Sequence, residues 1–181
     1  APKLALAFAC ERGGLPEVAE GLYEVCLSTD AAYVPPAAFG MARVRAERGD
    51  TLGAVGALDL VPTTSRGYTE SRQLRAEVLL SGGARDLAVL DQAMRTIETA
   101  SVDTRTRQHY TVRILTEALA VVTGNGAVPE GARIGSVAAT EVGVRDGLEN
   151  ALRSLARDAN DLEERVSLVN QANAVRNWSL T

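Results

Sequence analysis

Small and large apolar residues recur along the first third of this chain at matching intervals. Between Gly40 and Pro62 the order is Met41, Ala42, Gly49, Ala54, Leu58 and Val61: large, small, glycine, small, large, apolar. Moving back 35 positions gives Leu6, Ala7, Gly14, Ala19, Tyr23 and Cys26, which follow nearly the same rule. A period of about 34 residues is that of helix-turn-helix solenoids of the tetratricopeptide kind. In such a pair the small residues let two antiparallel helices approach closely and the large ones fill the space beside them. The glycine accepts the left-handed backbone that ends the first helix.

Punctuation along the chain agrees with this register. Pro36 suits a helix first turn, "RGDT" around Gly49 makes a short inter-helix turn, and Pro62 closes the fourth helix. A third, degenerate pair follows, with Gly82 and Gly83 at its turn, Asp86 as N-cap and Ala88 at the small, buried position. Ser101 or Asp103 caps a helix reaching about Thr123, and "GNG" at 124–126 breaks it. "GAVPEGARIGSV" reads as loop. A last helix pair is expected from about Thr140 to Asp158 and from Asp161 to about Val175, with Asn160 and Glu163 spaced as a capping box. The pattern therefore predicts an all-α fold: a tetratricopeptide-like right-handed α-solenoid of antiparallel helix pairs, about eight or nine helices in all. The expected organisation is one domain over residues 1–181, with repeats at about 2–34, 36–69 and, degenerate, 70–100, and a helical extension over 101–181.

Composition sharpens this picture. With 46% apolar and only 4% aromatic residues, the core must be built from small side chains at close helix spacing. A net charge of −4 argues against a surface that tracks nucleic-acid phosphates. Lys3 is the sole lysine beside many arginines, a hint of a GC-rich bacterial genome. Cys10 and Cys26 imply neither a zinc site nor a redox pair. There is no apolar run long enough for a membrane span, and the opening "APKLALAFAC" lacks a basic start and a cleavage signal. An intracellular, cytoplasmic segment of a longer protein is the expectation.

The ordered segments "AAFGMARVRAERGD", "GAVGALDLVPTTSRGYTESR" and "VGVRDGLENALRSLARDAND…LVNQANAVR" resemble the C-terminal tetratricopeptide domain of the actinobacterial serine/threonine protein kinase G family. The likeness runs from about Leu4 to Arg176 and is weakest between Gly82 and Ile134. It implies a fragment of a larger kinase, in which a rubredoxin-like module and a kinase domain precede the repeats. It also implies dimerisation and support of the kinase domain of the same polypeptide as roles for the repeats. A forkhead-associated-domain regulator of 2-oxoglutarate and glutamate metabolism is the substrate of the family's kinase. The chemistry itself is not encoded here: the sequence has no Gly-rich loop with a V-A-I-K lysine, no H-R-D loop and no D-F-G motif. No catalytic residue, metal ligand or cofactor is therefore assigned.

Candidate binding residues come from the inward-facing positions of the first helix of each pair: Leu4 and Phe8, then Phe39 and Arg43. Adaptor repeats that grip a peptide carboxylate place Lys and Asn there, as charged and polar donors. Leu4 and Phe8 offer neither. Two readings stay open for the four residues, an apolar docking surface for a protein partner or neighbouring domain, and ordinary packing against the next helix. Arg72 and Arg75 read as a solvated helix face or as an anion-attracting edge. An independent peptide-binding adaptor is the alternative within the binding class. A cysteine or histidine hydrolase would have to use His109, Cys10 or Cys26. His109 sits in a polar helix start and reads as a solvated side chain, the two cysteines read as buried, inert thiols, and Trp178 reads as packing for the final helix.

Overall fold

The computed structural model describes residues 2–82, 86–124 and 126–178. Among them are nine α-helices and one small hairpin. These are α1 (Pro2–Arg12), α2 (Pro16–Leu27), α3 (Val34–Glu47), α4 (Thr51–Asp59), α5 (Tyr68–Ser81), α6 (Leu87–Thr99), α7 (Thr104–Val122), β1 (Arg133–Ile134), β2 (Val137–Ala138), α8 (Glu141–Asp158) and α9 (Leu162–Val175). Within each of the two units, successive helices pack antiparallel, as the repeat pattern requires. The chain forms two compact units, Ala1–Gly83 and Ala84–Thr181.

In the first unit the 35-residue period is reproduced in the hydrogen bonds that end the first helix of each pair. Helix α1 ends with Gly14 at φ 73°, while Leu15 donates to the Cys10 carbonyl at 2.9 Å and Gly14 to the Glu11 carbonyl at 3.2 Å. Helix α3 ends the same way: Gly49 has φ 77°, Asp50 donates to Arg45 and Gly49 to Ala46, each at 2.9 Å. Both are Schellman motifs, in which a left-handed residue lets the chain satisfy the helix's last carbonyls. Asp50 then caps α4, its carboxylate accepting from the Gly53 amide at 2.8 Å. The small residues sit where the pairs close: Ala7, Ala19 and Ala54 are fully buried, as is Leu58, and Tyr23, Cys26, Met41, Ala42 and Val61 are nearly so. Leu6 departs from the pattern at 54% exposure. Helix α1 turns its Ala7 face to α2 and α3, so the neighbouring side chain points away from both.

Tyr23 makes the joint between pairs. Its ring lies against Gly40 on α3, where a Cβ would fall only 2.2–2.6 Å from the ring atoms. A helix-interior glycine is thus required by the close approach of an aromatic ring, and not by backbone conformation. Ionic ties reinforce the same α2–α3 contact, with Glu20 accepting from Arg45 at 2.6 Å and also from Arg48. Helix α5 packs on α4 and α3. Gly82 donates to the Val78 carbonyl at the end of α5, whereas Gly83 of the expected turn lies outside the described residues.

In the second unit each helix begins at an oxygen-bearing cap. Asp86, Asp103, Thr140 and Asp161 accept from the amides of Ala88, Thr106, Gly143 and Glu164, opening α6, α7, α8 and α9. Asp103, and not Ser101, is therefore the cap of α7. The last cap corrects the expected Asn160–Glu163 pair by one residue, because Asp161 and Glu164 hold the same spacing and the carboxylate is the acceptor used. Ala88 is exposed, since the buried stripe of α6 runs through Leu90, Ala93, Met94 and Ile97 on the other side. Helix α7 ends at Val122 as expected; Asn125 of the "GNG" break is outside the described residues.

The segment expected to be loop contains a two-residue hairpin turn at Gly135–Ser136, with Ile134 facing Val137. It is seated on α6: Gly135 donates to Asp91 at 2.7 Å and Ser136 to Glu98 at 2.9 Å, while Ile134 is wholly buried. Gly135 has φ 57°, as a glycine-first hairpin turn needs. Helix α7 packs between α6 and α8, and α8 carries α9. At the corner of α7, α8 and α9, Arg105 donates to the Asp158 carbonyl at 3.1 Å and to Glu164 at 2.6 Å.

Candidate functional site

Residues four apart on one helix share a face. Leu4 and Phe8 on α1, and Phe39 and Arg43 on α3, are two such pairs. The α1–α3 packing brings all four to one open concavity of about 440 Å³, completed by Ala5, Tyr23 and Pro36. Phe8 is 48% exposed. Leu4 and Phe39 are half-buried against the first core. The wall is thus mostly apolar, with one cation on it.

That cation is tied down. Arg43 donates Nε to Glu11 Oε1 at 2.7 Å and Nη2 to Glu11 Oε2 at 3.0 Å, a two-pronged pair, and its guanidinium sits 5.8 Å from the centre of the Phe8 ring. Tyr23 donates its hydroxyl to the same Glu11 carboxylate. One carboxylate therefore links α1, α2 and α3 beneath the concavity. Burial pushes the Glu11 carboxyl up, but the hydrogen bonds from Arg43 and Tyr23 outweigh it and hold its pKa below the ordinary 4.5. The Tyr23 hydroxyl is driven up from 10.0, first by burial and then by the carboxylate beside it. Arg43 is raised by its bonds to Glu11.

Linkage fixes the sign of the consequence. Glu11 gives stability that is complete above its unfolded pKa near 4.5 and fades as pH falls through its lower native value. Tyr23 gives stability present below 10.0 and lost as pH rises through its higher native value. We expect Glu11→Gln to flatten the acid limb of stability and to shorten the alkaline limb as well, because without the carboxylate the Tyr23 hydroxyl is raised less and the loss that begins near 10.0 ends sooner. Urea midpoints measured across pH check this, and an acid limb identical to that of the unmodified chain would contradict it.

Glu11 and Tyr23 are the residues that sequence reasoning passed over. The signal was present, because Glu11 lies three positions beyond Phe8 and so falls on the Leu4–Phe8 face of α1. Other candidates resolve differently. Arg72 and Arg75 form neither a solvated face nor an open edge for an anion: their side chains are only 11% and 16% exposed. Arg72 donates to Asp59 at 2.7 Å and to the Leu58 carbonyl at 2.6 Å, and Arg75 to Asp59 at 3.0 Å. Both satisfy the negative end of α4, where unpaired carbonyls and the helix dipole favour cations. Cys26 is buried and Cys10 half-buried. His109 is exposed on α7. Trp178 does not pack the final helix; it is 76% exposed, with Arg176 stacked 5.6 Å from its ring centre. No helix among the described residues is long and apolar enough to cross a membrane.

Comparison with known proteins adds the relatives. The family model described as "Protein kinase G tetratricopeptide repeat" matches residues 1–179. The serine/threonine-protein kinase PknG of Mycobacterium leprae is 37% identical over 179 residues, which cover 97% of this chain and 23% of that protein. The protein of the same name from Mycolicibacterium smegmatis is 36% identical over 183 residues, covering 99% of this chain and 23% of its own length. The chain thus spans under a quarter of the curated relatives it matches.

Proposed function

From the premise that this chain belongs to the protein kinase G tetratricopeptide repeat family, we propose that it is a non-catalytic interaction domain of a cytoplasmic serine/threonine protein kinase. Its task is to hold protein surfaces: a second copy of itself, and the kinase domain of the same polypeptide, whose fold it supports. A protein substrate such as a forkhead-associated-domain regulator is a further proposed partner of the assembled kinase. The observation that carries this reading is the concavity of Leu4, Phe8, Phe39 and Arg43, with Phe8 left half in water at its rim. Large apolar side chains beside a groove favour a partner that covers them. The carboxylate clamp of adaptor repeats has no counterpart in this groove, since Arg43 is closed by Glu11.

In the isolated chain the proposed occupant is a second copy. We expect concentration-dependent dimerisation, weakened by Phe8→Ala by roughly 2 kcal/mol, about thirtyfold, as for a central aromatic anchor. Alanine is the useful change, because a carboxylate there would compete with Glu11 for Arg43. Sedimentation equilibrium of both proteins, with circular dichroism as the check on folding, decides the matter. A chain that stays monomeric at high concentration, or a dimer indifferent to Phe8→Ala, would overturn the proposal.

A further inference from the structure

A second concavity, of about 450 Å³, lies between α8 and α9 and is lined by Arg153, Ala156, Arg157, Arg165 and Val169. Helical spacing creates it: Arg153 and Arg157 are four apart on α8, as are Arg165 and Val169 on α9. Three guanidinium groups therefore converge on one groove in a chain whose net charge is −4, and no carboxylate is among the residues that line it.

The structure neutralises this charge only in part. Arg153 is held by Glu149 at 2.8 Å and donates Nη2 to Asn173 at 3.1 Å. Arg165 donates Nη2 to the Ala159 carbonyl at 3.2 Å, which meets no opposite charge. Arg157 is exposed and makes no hydrogen bond or ion pair with the described residues. Two cations thus face solvent across a floor of Ala156 and Val169. Arg157 in the last turn of α8 and Arg165 on the Ala159 carbonyl also offset the negative end of that helix, yet both side chains stay exposed beside the groove with no carboxylate partner.

We propose that this groove binds an acidic segment of a partner protein, one with consecutive Asp or Glu residues. The guanidinium fork matches carboxylate geometry, and the apolar floor receives the aliphatic part of the acidic side chains. Overall charge selects the occupant further. A short acidic segment senses mainly the field within a Debye length, about 8 Å at physiological salt. A long polyanion such as nucleic acid meets the net negative charge of the rest of the surface as well.

The test is fluorescence anisotropy on the full chain, with a labelled peptide of alternating Glu and Asp between glycines and a Gln/Asn counterpart as control. Saturable binding that weakens with salt, is absent for the control and falls by roughly tenfold or more in Arg157→Glu is the expected result. Arg157→Gln, which removes the charge without reversing it, gives a smaller loss; both changes fall on an exposed side chain, and circular dichroism verifies the fold. Absence of saturable binding, equal affinity of Arg157→Glu and the unmodified chain, or tighter binding of a single-stranded oligonucleotide than of the acidic peptide would each overturn the proposal.

Discussion

Gly40→Ala is expected to destabilise the first unit, although alanine is the better helix former. The added Cβ falls 2.2 Å from Tyr23 Cζ and 2.5–2.6 Å from both Cε atoms, inside any permitted contact. Tyr23 is 1% exposed and its hydroxyl is fixed on Glu11, so the ring cannot swing aside without breaking that bond. Overpacking of this kind costs about 1–3 kcal/mol, while replacing a helical glycine returns about 1 kcal/mol. At the upper end the net loss is roughly 2 kcal/mol. The cause can be isolated by a double-mutant cycle, because Tyr23→Leu lacks the clashing ring atoms. In that background Gly40→Ala should become neutral or stabilising, and urea midpoints of the four proteins give the coupling. Equal effects in both backgrounds would mean that the ring is not the obstacle.

Ala19→Leu and Ala54→Leu are expected to fail in parallel. Both alanines are fully buried, one on α2 and one on α4, at equivalent places in pairs that end with the same Schellman geometry. Extra methylene groups at a closed helix contact cost about 1–3 kcal/mol. The informative feature is the agreement between the two losses, since the same packing rule is being broken twice. Denaturant unfolding of each variant measures it. A large loss for one and none for the other would show that the period sets the backbone turns but not the packing between helices.

What was legible in the sequence follows from how local each feature is. Capping oxygens, turn glycines and small residues at fixed spacing act within a few residues. The ends of α8 and α9 and the paired turns at Gly14 and Gly49 could therefore be read directly. The hairpin at Gly135–Ser136 was missed because its apolar partners, Ile134 and Val137, are too few to show alternation, and its seat on Asp91 and Glu98 is formed by residues distant in sequence. The Gly-Ser pair between two apolar residues was the available sign. The candidate groove was legible as a list of inward positions, since helix period alone selects Leu4, Phe8, Phe39 and Arg43. Its electrostatics were not. Whether Arg43 is free or closed depends on Glu11 arriving from another helix, just as Arg72 and Arg75 are determined by the carbonyl end of α4.

If another protein surface docks in the Leu4–Phe8–Phe39–Arg43 concavity, the backbone amides around it must respond to that contact. Amide correlation spectra of the isolated chain across a dilution series test it most directly. Docking there gives shifts that follow one association curve, concentrated at Leu4, Ala5, Phe8, Phe39 and Arg43 and suppressed by Phe8→Ala. Spectra that do not change with concentration, or changes confined to α6–α9 with these residues unmoved, would contradict it.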